Sequence, residues 1–193
     1  MATYQAVNGV LSALKDLLDA HVAELAGEIQ NPSVQILSSQ ALKADPTGNA
    51  LGLYLHRISI DPYGRNRYLP PGRPGLAPRP ELPVNLHLLL VGWSLSASAE
   101  ISLVAWAMQR IGAALELDAT HMAQADPHWS GEERLQVIPE EMSTEDLMRV
   151  WDSLPGDYRL SSPYLVKTLR LEPVKDTELG PPVTSIVLPV EPI

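Results

Sequence analysis

Two stretches, ALGLYLHRISI at residues 50–60 and LPVNLHLLLVGW at residues 82–93, decide the fold. In the first, Leu51, Leu53 and Leu55 alternate with Gly52, Tyr54 and His56. This is the period-two pattern of a strand with one face in a core. The apolar parity then switches to Ile58 and Ile60, which predicts a bulge or a strand covered on both faces. In the second, Val84, Leu86, Leu88 and Leu90 share a face. Its other face starts polar, at Asn85 and His87, and ends apolar, at Leu89, Val91 and Trp93, so one end is expected to be buried more deeply. No helical pattern lies between the two strands. A doubly wound parallel sheet needs a crossover helix there. The expectation is therefore α+β: a mixed, largely antiparallel sheet packed by helices.

The flanking segments supply the helices. Val7, Val10, Leu11, Leu14, Leu17, Leu18 and Leu25 fall on one stripe of period 3.6, with Thr3 as the expected N-cap and Gly27 as the stop. Asn31-Pro32 breaks the chain before a short strand at 34–38. A second helix is expected over 97–117, with Ile101, Val104, Met108, Ile111 and Leu115 buried and Glu100 near its N-terminus. Ser143 opens a third with a capping-box variant that uses Asp146. Leu147, Val150, Trp151 and Leu154 form its stripe, and Gly156 is expected to close it. Further strands are expected at 134–138 and 164–171, and a last strand or extended arm at 183–190. The chain divides into an α+β domain over 1–172, containing a long loop at 61–83, and an extended C-terminal arm over 173–193. No internal repeat is visible.

Charge is unevenly spread. The net charge is -9, which disfavours binding to nucleic acid or to an anionic membrane. Residues 61–83 hold 7 of the 18 prolines, and Arg65, Arg67, Arg73 and Arg79 face only Asp61 and Glu81. A loop this long and proline-rich is extended, and commonly functional. Residues 116–146 hold nine acidic side chains and one basic, Arg134. A basic arm and a separate acidic patch suit head-to-tail docking between copies; a solvated loop and a solubilising face explain the same charges. In the arm, Ile186, Val187 and Leu188 form an apolar piece suited to adding to a neighbour's sheet or to finishing its own.

Chemistry is harder to find. The chain has no cysteine, which excludes disulfides, thiolate metal sites and a cysteine nucleophile and fits assembly in a reducing cytoplasm. The N-terminus lacks the pattern of a signal peptide. There is no G-x-S-x-G, Walker-type loop or G-x-G-x-x-G. His56 and His87 read as hydrogen-bonded strand residues. His121, Asp126 and His128, with Asp118 nearby, have metal-ligand chemistry but no recognised spacing. A small metal-dependent hydrolase built on them is the enzymatic alternative. No cofactor is expected.

The chain also resembles a known family. Residues 51–58 (LGLYLHRI) with Arg65-Asn66 beyond the turn match one of its strands and the exit from it. Arg79-Pro80 followed by LPVNLHLLL at 82–90 matches a second, with Asn85 where aspartate is expected. Ala107-Met108-Gln109 matches its central helix. Residues 145–154 with Trp151, then Tyr158-Arg159-Leu160-Ser161 and Tyr164-Leu165-Val166, match its closing portion. Over residues 5–172 the sequence resembles the cap, or tail-terminator, proteins of extracellular contractile injection systems. The resemblance implies a non-enzymatic structural subunit. It implies a homo-hexameric ring closing the inner tube and sheath of a phage-tail-like particle, assembled in the cytoplasm and released on lysis. A phage head–tail connector or stopper is the neighbouring reading. In either, Arg65, Asn66, Arg67, Arg73, Arg79 and Ile186, Val187, Leu188 are the expected partner contacts.

Overall fold

The computed structural model describes residues 2–63, 81–114, 116–122, 129 and 134–172. Among the described residues six strands form one sheet: β1 (Ser33–Leu37), β2 (Ala50–Ile60), β3 (Leu82–Trp93), β4 (Glu116–Leu117), β5 (Leu135–Pro139) and β6 (Ser161–Leu171). The order is β1-β2-β3-β6-β5-β4. Only β1 and β2 run parallel; every other pair is antiparallel. This is the mixed, largely antiparallel α+β sheet that the sequence predicts. The parity switch in β2 is a bulge between Leu55 and Arg57, which drops His56 from the ladder and brings Ile58 opposite Leu86.

Helices cover both faces. On one face α1 (Ala6–Asp19), α2 (Ala97–Ala114) and the short α3 (Ala119–Met122) bury Leu14, Leu18, Leu103 and Met122 against Leu51, Leu53, Leu86, Leu88 and Leu90. On the other, α4 (Thr144–Asp152) seats Trp151 on Leu37, Leu89, Val91 and Trp93. The second face of β3 is thus covered at its C-terminal end, where its side chains turn apolar. Gly92 is required by this layering, because a Cβ there would meet the backbone of Glu100 at 2.9–3.0 Å. Ser143 caps α4 as expected: its Oγ accepts from the Asp146 N–H at 3.1 Å and donates to Asp146 Oδ2 at 2.7 Å.

Several expectations are corrected. The first helix ends at Asp19, and a tight 3₁₀ turn at Val22–Gly27 replaces its last part. Tertiary contacts override the stripe: Glu24 in that turn accepts from Trp106 Nε1 at 3.1 Å and pairs with Arg110, which draws the segment across α2. Thr3 is not the N-cap, which is Gln5; the Thr3 hydroxyl accepts from the Gln5 N–H at 3.3 Å. On α2, Ile101 is 60% exposed and Met108 also faces outward. Val104 and Ile111 are buried as expected, but the rest of the stripe is rotated onto Ala99, Leu103, Trp106 and Ala107, because Trp106 must reach Glu24. The helix stops at Ala114 so that residues 116–117 can pair with β5. Gly156 does not close α4, whose C-cap is Ser153. It lies instead against the Leu42 carbonyl, where no Cβ fits. Asn31, before Pro32, takes a left-handed φ of 48°, a conformation asparagine tolerates better than most residues. Among the described residues no helix is long and apolar enough to cross a membrane.

Candidate functional site

The sheet brings the roots of both expected assembly segments to one end. β2 leaves the sheet at Ile60, opposite Val84, and β3 enters at Leu82, opposite Leu171 of β6. The Asp61 N–H donates to the Pro83 carbonyl at 2.9 Å, and Asp61 Oδ2 accepts from the Thr168 hydroxyl at 3.2 Å. The chain then leaves β6 beside Ala2, whose carbonyl accepts from the Glu172 N–H at 2.9 Å. So the proline- and arginine-rich connection and the C-terminal segment, far apart in sequence, start side by side. Arg65, Asn66, Arg67, Arg73 and Arg79, and Ile186, Val187 and Leu188, lie outside the described residues. The sequence signals no such juxtaposition, because it depends on β6 inserting next to β3.

The surface at this end is apolar for an acidic protein. Ile58 and Ile60 are each 51% exposed and Tyr63 is 82% exposed, with Leu82 next to them. On the α4 side of the sheet, a cleft of about 750 Å³ carries Arg134, Lys167 and Arg170 with Asp61 and Glu116. It is a polar groove of mixed charge, suited to contact with another protein surface. Sequence reasoning noted Arg134 only as the lone cation of an acidic stretch, and missed Lys167 and Arg170 because they are interspersed with core residues along β6.

Further along the same face lies a buried polar chain. Ser59 Oγ is 2.7 Å from His87 Nε2, and His87 Nδ1 is 2.8 Å from Glu140 Oε1. Arg57 Nη2 lies 3.1 Å from His87 Nδ1 and 3.5 Å from Glu140 Oε1. Nδ1 cannot both accept from Arg57 and donate to Glu140. The shorter contact makes it the donor, and the Arg57 guanidinium also serves the carboxylate. Nε2 then accepts from Ser59.

The order serine, histidine, carboxylate is that of an activated nucleophile. The setting is different. A serine nucleophile stands on a sharp turn with Oγ exposed beside free backbone N–H groups. Ser59 sits within a strand, in register with Asn85 of β3. His87 is only 5% exposed. The geometry describes a lock between β2, β3 and the residue following β5, in keeping with His87 as a hydrogen-bonded strand residue. Ser59 and Glu140 escaped sequence reasoning because neither is near His87 in the chain.

His56, expelled by the bulge, packs edge-on against His87 with ring centroids 6.0 Å apart, and its Nε2 is buried without a partner. Burial lowers its pKa below the ordinary value near 6.5, against the opposing pull of Glu140. Between the lowered value and about 6.5 the unfolded chain binds a proton that the folded chain does not. Stability therefore rises with pH through that window and is lost on acidification. Melting curves between about pH 7.5 and pH 5.5 should show a steeper loss for the native sequence than for His56→Asn; equal slopes would contradict this account.

His121 is engaged at the start of α3. Its Nδ1 is 2.8 Å from Asp118 Oδ1, which also accepts from the Thr120 N–H at 2.9 Å. Asp126 and His128 lie outside the described residues, among which no group of three or more His, Asp or Glu is placed to hold a metal ion.

Comparison with known proteins fits this architecture. The family model for the Pvc16 N-terminal domain matches residues 9–185. No curated protein matches the chain. Among solved structures, the sheath/tube terminator of the PVC extracellular contractile injection system, in its extended state, aligns with a TM-score of 0.58 at 20% identity. That alignment covers 97% of this chain and 64% of the terminator. The tube-terminating cap of the anti-feeding prophage aligns with a TM-score of 0.57 at 20% identity, over 95% of this chain and 61% of the cap. The chain thus spans less than two thirds of either protein. With one family model covering nearly its whole length, the chain belongs to the Pvc16 N-terminal domain family.

Proposed function

We propose that this chain is a structural terminator, which closes the inner tube and sheath of a contractile injection particle at the end away from the baseplate. The observation that carries this reading is the match over residues 9–185 to the Pvc16 N-terminal domain, supported by a fold shared with two tube terminators. Copies meet head-to-tail in a homo-hexameric ring. One face of the ring stops tube growth, while the connection at 61–83 and the arm at 173–193 reach sheath subunits or neighbouring copies. Arg65, Arg67, Arg73 and Arg79 pair with acidic groups such as those of residues 116–146. Exposed ion pairs contribute about 0–1 kcal/mol each, so the ring depends on repetition of contacts. Partners are other proteins, and neither nucleic acid nor membrane is engaged. Assembly takes place in the cytoplasm, with release of the particle on lysis.

The test is deletion of the coding sequence in a strain that makes the particles. Electron microscopy should show tubes and sheaths of uncontrolled length, or no sheathed particles, with restoration by the intact chain. Particles of normal length and abundance would refute the proposal. Co-purification with phage head proteins instead of sheath would favour a head–tail connector.

A further inference from the structure

The outer edge of β2 is only half covered. β1 has five residues, and they pair with the first five of the eleven in β2, from Ala50 to Tyr54. Among the described residues, no strand pairs with the outer edge of residues 55–60. An uncovered edge presents unpaired N–H and C=O groups at every second residue. The bulge between Leu55 and Arg57 interrupts only the start of this run, because the ladder to β3 is regular from Arg57 to Ile60.

The side chains say what kind of partner fits. Ile58 lies opposite Leu86 and Ile60 opposite Val84; Leu86 and Val84 in turn lie opposite Val166 and Leu169 of β6. These four partners are all buried in the core under α1 and α2. The same apolar layer therefore runs across three strands and ends, half exposed, at the two isoleucines. One more strand with apolar residues at alternate positions would complete it.

We propose that this edge takes residues 183–188 (VTSIVL) from the C-terminal segment of a second copy, by strand addition. Pro182 and Pro189 bound that run, so it is the part of the tail free to make a continuous ladder. Ile186 and Leu188, two residues apart, would lie on one face and extend the Ile58–Ile60 layer. Topology selects a second copy over the same chain. The tail leaves β6 at the end of the sheet where the β2–β3 connection also emerges, with β3 between β6 and β2. To reach the outer edge of its own β2, the tail would have to cross that connection, which chains avoid. Donation to a neighbour needs no crossing, and repeated around a ring it links each copy to the next. The proposal deepens the terminator reading, on which it rests for the neighbouring copy.

The absence of native cysteine makes the test clean. Full-length chains carrying Ile58→Cys or Ile60→Cys are mixed with chains carrying Ile186→Cys, Val187→Cys or Leu188→Cys, and oxidised mildly. The expected result is a disulfide-linked dimer, strongest with Ile186→Cys and Leu188→Cys and at least several-fold above an Ala113→Cys control. No dimer above the control overturns the proposal. So does a chain carrying Ile58→Cys and Leu188→Cys together that closes its own bond and forms no dimer. Adding Ile60→Lys to the Ile58→Cys chain should abolish its cross-link while leaving the circular-dichroism melt nearly unchanged, since Ile60 is half exposed. Loss of length control on deletion together with a negative cross-link removes strand addition alone. A positive cross-link with normal particles in the deletion strain removes the terminator role alone.

Discussion

Trp151→Ala should cost about 4 kcal/mol of folding stability, within the roughly 3–5 kcal/mol expected for removing a large buried aromatic. Trp151 is 4% exposed and is the one buried residue of α4. Its ring fills the space among Leu37, Leu89, Val91 and Trp93, and its Nε1 donates to Ser161 Oγ at 3.0 Å. Tyr158 packs edge-on against it with centroids 5.8 Å apart. Leu147, Val150 and Leu154 contribute only partly buried area. Truncation therefore leaves a cavity under a helix of nine residues that is too short to persist unsupported.

Urea denaturation measures the loss, with the Tm falling by roughly 8–16 °C for a chain of this size. Hydrogen exchange should show α4 opening while α1 and α2 keep most of their protection, since they pack on the opposite face of the sheet. Trp151→Phe should recover more than half of the loss, because most of the ring area returns, and what stays missing is the second ring and the bond to Ser161. A Trp151→Ala protein within about 1 kcal/mol of the native chain would mean that α4 is held by something other than this ring.

What the sequence made legible was periodicity, and what it hid was pairing. Strands β2 and β3 were readable to the residue because alternation over eleven or twelve residues leaves one consistent face. The bulge was readable because it changes parity. The rotation of α2 was not. A helix reading ISLVAWAMQRIGAA is apolar on more than one side, and only the reach of Trp106 to Glu24 decides which side turns inward. The insertion of β6 between β3 and β5 was equally invisible, because strand order depends on long-range packing and not on local pattern. That order assembles the candidate surface: it sets Leu171 beside Leu82, and Glu140 beside His87, across 53 residues of chain. The expected contact residues fall in segments rich in proline, arginine and short apolar pieces. Composition could flag those segments but could not give their geometry, which for a strand donor is set by its acceptor.

The buried chain at His87 yields the second large effect. Glu140→Leu alone should cost about 3 kcal/mol, because a donor at a nearly buried histidine loses its acceptor and Arg57 loses its counter-charge. His87→Leu alone should cost a similar amount by leaving the Glu140 carboxylate, whose Oε2 is already buried without a partner, without its shortest contact. The double variant replaces both polar groups with apolar volume and should be less destabilised than the sum by about 2 kcal/mol. Four urea titrations close the cycle. Costs that add to within about 0.5 kcal/mol would show that the two side chains are not coupled. The same variants separate a lock from a catalyst. A lock requires only that β3 and the end of β5 stay in register, which two apolar side chains can do. A relay that activates Ser59 requires the imidazole and the carboxylate themselves. If the double variant folds and restores normal particle length in a deletion strain, the Ser59–His87–Glu140 chain serves the fold, and capping needs no chemistry from it.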